Sequence, residues 1–258
     1  MLINSVIIIL REVFEAALIV SVLLVLCQKL QLPRRYFLSS LGLGGLLSIV
    51  YARHIASISM FFDGVGQEIL NACMHLMTFI CLLFLIFSMG RRPYYKITVW
   101  AIAGCLSAAL VREGSEIIIY IQGFIGNEQL LETVLAGSFI GAGVGFSVGV
   151  FMYYLMINLR PRKGVAVCLV ALVLISASMT TQAFQLLIQA DILISQAPLW
   201  NTSTWVSEGS VTGQILYALL GYESTPTPIQ VGGYSLSLIL ASALAVRTFN
   251  NFKWEMGE

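Results

Sequence analysis

Two short stretches of this sequence carry groups capable of chemistry, Arg11-Glu12-Val13-Phe14-Glu15 and Arg112-Glu113-Gly114-Ser115-Glu116. Both read R-E-x-x-E. On a helix, at about 100° per residue, the two glutamates of one copy stand three apart on a shared face, and the arginine and second glutamate stand four apart and can pair. Each copy therefore builds a small ionic patch on one stripe. Carboxylate oxygens are hard ligands suited to Mg, Ca, Mn or iron, whereas copper(I) and zinc sites call for Cys, Met or His. Pairing Arg11 with Glu15 and Arg112 with Glu116 leaves Glu12 and Glu113 over, a negative surplus that suits a multivalent cation or protons.

Apolar helices must position these patches. The chain has 258 residues, 58% hydrophobic and 10% charged, with mean hydropathy +0.89; a soluble domain is about 25% charged. A bilayer is the partner this composition demands. The net charge of +1, with no Lys/Arg cluster interleaved with aromatics, excludes nucleic acid. About 20 apolar residues cross the hydrocarbon core, and seven runs qualify: 2–27, 36–58, 68–89, 97–122, 132–157, 164–189 and 231–249. The first lacks a basic start and holds three charges, so it is not a cleaved signal peptide.

Both motifs fall inside spans, the first and the fourth. A charge at the bilayer centre costs about 2.5–3.5 kcal/mol, so six facing lipid would cost on the order of 15–20 kcal/mol. They must face one another or a wet cavity. Two salt bridges acting as helix glue are the structural alternative, but Ser, Thr or Gly contacts do that at lower cost, and the duplication favours a site.

Charge in the connections sets the orientation. Lys29, Arg34, Arg35, Arg91, Arg92, Lys96, Arg160, Arg162, Lys163, Arg247 and Lys253 occupy every second connection, eleven of fourteen basic residues. The intervening ones hold Asp63, Glu68, Glu128, Glu132, Asp191, Glu208 and Glu223, with Arg53 alone as a basic residue. The positive-inside rule puts the N-terminus outside and the C-terminus in the cytoplasm. The longest connection, 190–230, lies outside; within it Val211 to Leu220 predicts a short helix, on the membrane surface or plugging into the bundle, and Trp200 and Trp205 fit an interfacial belt.

The motifs lie three spans apart, so their helices run in opposite directions. The second and fifth spans are both glycine-rich, with Gly42, Gly44 and Gly45 against Gly137, Gly141, Gly143, Gly145 and Gly149, the usual sign of close helix approach. The predicted fold is an all-α membrane protein of seven transmembrane helices, a 3+3 inverted repeat plus one helix. It forms a single permease domain over 1–258, with repeats at about 1–90 and 97–189, the outer loop 190–230 and a final helix 231–249. Such symmetry brings both motifs together near the midplane. Cys27, Cys73, Cys81, Cys105 and Cys168 have no C-x-x-C spacing and read as small core residues. His75, beside Cys73, Met74 and Met77, reads as core packing, with a soft-metal contact as the minority view. A di-iron oxidase needs Glu-x-x-His on two helices; neither motif has it, which counts against an oxidase centre, and the chain is read as no enzyme.

The duplicated motif resembles the signature of the oxidase-dependent iron permease family, which includes the fungal high-affinity iron permease and the bacterial ferrous-iron uptake permease. That family's motif is typically R-E-G-L-E; the second copy keeps its glycine at Gly114, the first has Val13 there, and the arginine and both glutamates stand in each. The resemblance runs the length of the chain, including Gln67-Glu68-Ile69-Leu70-Asn71-Ala72, Leu199-Trp200-Asn201 and Gly221-Tyr222. Family members often read Q-E-L-x-E-G at the first of these; Asn71 replaces the second acid, so Glu68 alone is carried over, as an outer access site.

The resemblance implies import of iron, ferric or ferrous, as a transported substrate with no permanently bound cofactor. Glu12, Glu15, Glu113 and Glu116 would be the metal ligands, and Arg11 and Arg112 would orient them. It implies a bacterial inner membrane and, as a separate partner, an extracytoplasmic ferroxidase or iron-delivery protein engaging the outer loop. Transport of another metal, manganese or lead, by the same glutamates and a membrane metal oxidoreductase are the alternatives.

Overall fold

A computed structural model describes residues 1–89 and 94–251. Among these, seven long α-helices and one short one make up most of the chain: α1 (Leu2–Lys29), α2 (Arg34–Ser59), α3 (Gly66–Ser88), α4 (Tyr95–Gln122), α5 (Glu128–Ile157), α6 (Pro161–Gln189), α7 (Val211–Leu220) and α8 (Pro228–Asn251). The long helices coincide with the seven apolar runs, and α7 covers the expected short helix. Arg91, Arg92 and Lys253 lie outside the described residues.

Helix boundaries follow local chemistry. Asn127 caps α5, its side chain accepting from Leu130 N at 3.2 Å, and Ser210 caps α7 by accepting from Gly213 N at 3.0 Å; each satisfies a donor that the helix start leaves orphaned. Pro161 opens α6, where its missing N–H costs nothing. Gly221 ends α7 in the left-handed region at φ 66°, and a Cβ there would stand 2.9 Å from the backbone of Ser178.

Five helices, α2, α3, α5, α6 and α8, are long and apolar enough to cross a membrane. The two other long helices, α1 and α4, are the ones that carry the motifs, and they are wrapped by the rest. Large apolar side chains left on the outside, such as Leu46 on α2, Phe139 and Phe146 on α5 and Leu236 and Ile239 on α8, are more than half exposed. That surface is stable in lipid and not in water, so this is an integral membrane protein.

Packing is fixed by glycine. Gly137, Gly141, Gly145 and Gly149 form one stripe of α5, and a Cβ on them would meet Leu2 O at 2.8 Å, Val6 O at 2.5 Å, Val13 Cγ1 at 2.9 Å and Ala17 Cβ at 2.6 Å. Thus α1 and α5 lie side by side and parallel. In the same way Gly44 of α2 sits against Leu110 of α4, and Gly114 of α4 against Ser48 of α2, so α2 and α4 also run parallel in close contact. α3 packs between α4 and α6, and α8 covers α6.

The bundle has two unlike halves. At one end Lys29 donates to Ile157 O and Leu159 O, and Arg162 lies over Phe249 at 5.7 Å; this basic half is filled by an apolar core that includes Leu18, Val22, Leu26, Leu82, Leu85, Leu106 and Leu172. The opposite end holds the segment 190–227 and is polar. Cys27, Cys105 and Cys168 are buried as expected, but Cys73 is exposed and Cys81 half-buried, the latter packed against Gly104 of α4.

Candidate metal site

The two motifs meet. α1 and α4 pack antiparallel, placing Ser5 opposite Tyr120 with the hydroxyls 2.8 Å apart, and Glu15 opposite Arg112. At the centre lies Arg112, whose Nη1 donates to Glu113 Oε1 at 2.7 Å and to Glu15 Oε2 at 3.3 Å, with Nε 3.2 Å from Glu116 Oε1. One guanidinium thereby holds three carboxylates from two helices. Arg11 Nε donates to Glu12 Oε1 at 2.8 Å, and its Nη2 is 3.8 Å from Glu116 Oε2.

This pairing departs from the sequence expectation. Arg112 and Glu116 pair across one helical turn, but Arg11 and Glu15 do not. The antiparallel approach of α4 sets Arg112 over Glu15, while Arg11 turns to its neighbour Glu12 and across to Glu116. No glutamate is left over whole; what is left over are single oxygens. As carboxylates, Glu12 Oε2, Glu15 Oε1 and Glu113 Oε2 are buried with no donor to accept from; Glu12 and Glu113 face each other across the helix pair closely enough to hydrogen-bond when one carries a proton. Glu12, Glu15 and Glu113 are at most 3% exposed, whereas the Arg11 and Glu116 side chains are 30% and 24% exposed and face cavities. Among the described residues no three His, Cys, Asp or Glu side chains are gathered closely enough to hold a metal ion. In this arrangement the arginines tie up one oxygen of each buried carboxylate, while the Glu12 and Glu113 carboxyls stay within hydrogen-bonding reach of each other.

Two cavities flank the pair Arg11 and Glu116. One, of about 370 Å³, is lined by Glu12, Gln67, Glu68, Asn71 and Tyr120. Glu68 therefore stands on the same cavity wall as the motifs, with its buried Oε2 unpartnered. Asn71 is not free there: its Oδ1 accepts from Tyr51 at 2.9 Å. The other cavity, of about 240 Å³, is lined by His75, Arg112, Gln182, Gln185, Glu208, Gln214 and Tyr217. Of the two, only the second is bordered by the 190–227 segment, through Glu208, Gln214 and Tyr217; the first is lined by α1, α3, α4 and α6.

Several of these residues escaped the sequence reading. Gln182, Gln185 and Gln189 form a polar stripe along α6, a signal present in their three- and four-residue spacing and legible by the same rule that found the motifs. Tyr217 reaches the site because α7 plugs into the bundle, and its ring lies 6.0 Å from the Arg11 guanidinium. Glu208 arrives from the 190–227 segment, folded back so that its Oε1 accepts from Ser224 N at 2.6 Å. Neither could be placed from sequence. His75 is buried, as core packing requires, yet it lines the cavity beside Arg112.

A family model described as the iron permease FTR1 family matches residues 2–251. No curated protein and no solved structure gives a significant match.

Proposed function

The chain belongs to the iron permease FTR1 family, and we propose from that premise that it imports iron through the site where α1 and α4 cross, with Glu12, Glu15, Glu113 and Glu116 as ligands. The observation that carries this reading is the set of three buried carboxylates, each tied by one oxygen to an arginine and unpartnered at the other. An unpaired buried acceptor costs about 1–3 kcal/mol, a cost that a dehydrated cation reaching these oxygens relieves. Arg11 and Arg112 limit the net charge of the empty site and orient its oxygens. Binding then requires the free oxygens to swing together as the cation arrives, while the guanidiniums keep or yield the others.

Access is from the end holding the 190–227 segment, past Glu68, with the apolar half closed below. That end is the outer face on charge grounds, since the opposite end carries the basic connections. All seven long helices cross the membrane, α1 and α4 included, since their charges are turned inward. An inverted repeat of α1–α3 and α4–α6 is supported by the reciprocal packing of α1 on α5 and α4 on α2 and by the antiparallel contact of the motif helices. A bacterial inner membrane, the absence of a resident cofactor, and an oxidase or iron-delivery partner docking on the outer segment complete the proposal.

The test is uptake of radioactive iron into proteoliposomes. Glu12→Gln and Glu113→Gln, near-isosteric and correctly inserted, are expected to abolish it, and unimpaired uptake in both variants overturns the site. Competition with manganese and lead decides whether iron is the preferred cargo.

A further inference from the structure

Carboxylates alone are a poor filter. Their hard oxygens suit Mg and Ca as well as iron, so a four-glutamate site explains cation binding without explaining preference. The 240 Å³ cavity beside that site contains two ligand atoms of another kind. His75 on α3 is 1% exposed, and its Nδ1 lies 3.2 Å from Met179 Sδ on α6. A thioether has no hydrogen to donate, so a hydrogen bond at this contact places the proton on Nδ1 and leaves the Nε2 lone pair free. That Nε2 is buried with no partner. Gln182, also 1% exposed and one turn along α6 from Met179, repeats the arrangement: its Nε2 donates to Ser178 Oγ at 3.1 Å, and its Oε1 is buried and unpartnered. Both side chains line the cavity that Arg112 and Glu116 also line.

In each case the hydrogen-bonding end is tied down and the electron-donating end is left bare. Histidine ligands in metal sites are held in this manner, the second ring nitrogen fixed by a partner that sets tautomer and orientation. Buried acceptors with no donor are rare and call for an explanation, and here two, on α3 and α6, belong to side chains that line one small cavity next to the carboxylates. Imidazole nitrogen favours iron, nickel, copper and zinc over Mg and Ca.

We propose that His75 and Gln182 form a neutral second ligand station for the transported cation, adjoining the glutamates, and that His75 Nε2 selects borderline transition-metal dications such as ferrous iron over hard dications. The inference rests on the four-glutamate reading and deepens it: the glutamates capture charge, and the imidazole sorts what has been captured. Met179 acts as a positioning residue by fixing the ring.

The chain has two histidines, and His54 is exposed at the end of α2, so nitrogen-15 histidine labelling isolates one position once His54→Gln is made. Anaerobic ferrous iron is added to the labelled full-length protein in detergent, with nitric oxide as spin probe, and the iron nitrosyl is examined for nitrogen-15 coupling. Coupling is expected in the wild type and in His54→Gln and lost in His75→Leu. In proteoliposomes, His75→Leu and Gln182→Leu are expected to lower the preference for ferrous iron over Mg²⁺ at least about tenfold, and Met179→Leu to lower it by a smaller factor, while Mg²⁺ itself is still competed for. Iron bound to the wild type without histidine coupling, or an unchanged preference in inserted His75→Leu, overturns the inference and leaves the glutamate site standing. Iron that fails to bind the wild type, or binds Glu12→Gln and Glu113→Gln as well as it does the wild type, sinks both.

Discussion

Arg112 is the residue on which the site turns. It touches Glu15, Glu113 and Glu116 and is 7% exposed, whereas Arg11 touches two carboxylates and borders both cavities. Lysine keeps the charge but offers a single point in place of a fork, so it cannot hold three carboxylates in these directions. Arg112→Lys is expected to reduce iron uptake by more than about tenfold, on the scale of one charge-assisted hydrogen bond worth roughly 1.5–3 kcal/mol. Arg11→Lys should cost visibly less; the two uptake rates, compared at equal membrane abundance, check the ranking. Outside the spans, the Glu223 carboxyl is pushed up from 4.5 to about 7 by burial, with repulsion from Glu208 adding and a hydrogen bond with Gln230 opposing. The folded segment thus holds this proton more tightly than the unfolded chain. Its stability is fullest below about 4.5 and declines as pH rises through 7. Limited proteolysis of the 190–227 segment should accelerate between pH 5.5 and 8 in the wild type, and much less in Glu223→Gln.

At the level of elements, the motif helices are placed by glycines that belong mostly to their neighbours. A Cβ at Gly141 would meet backbone atoms of α1, Val6 O at 2.5 Å and Leu10 N at 3.0 Å, whereas nothing lies within 4 Å of one at Gly143. Backbone cannot step aside as a side chain can, so Gly141→Leu forces α1 off α5 and drags Glu12 and Glu15 with it. Overpacking of this kind costs about 1–3 kcal/mol or more. Gly141→Leu is expected to lower the melting temperature in detergent and to lose transport, and Gly143→Leu, two residues away on the lipid face, to leave both nearly unchanged. Equal behaviour of the two would mean that the stripe is not the contact that positions α1. Gly44 and Gly45 on α2 offer the same contrast, tight against Leu110 and open respectively.

For the molecule as a whole, polar cavities beside the motifs and a packed apolar core toward the basic end fit the proposal that the site is reached from one face. Transport then requires the basic half to open. Cys105, 0% exposed in that core and free, reports on it: a membrane-impermeant maleimide on the cytoplasmic side should leave Cys105 unmodified in protein without iron and label it during turnover. Labelling at equal rates in both conditions would show that the core is no gate. The extents of the seven long helices, the duplicated motif and the bounds of α7 were all legible in the sequence, because each depends on hydropathy or helical period along one element. The sequence also determined that the motifs had to meet, since six ionisable groups in lipid have no other affordable place. Which arginine pairs with which glutamate was decided only by the tertiary structure. Pairing depends on the depth at which α4 crosses α1, and that is set by glycine contacts with α5 and α2 far along the chain. The same holds for His75 and Gln182, whose unpartnered atoms exist only because α3 and α6 pack against each other at that level.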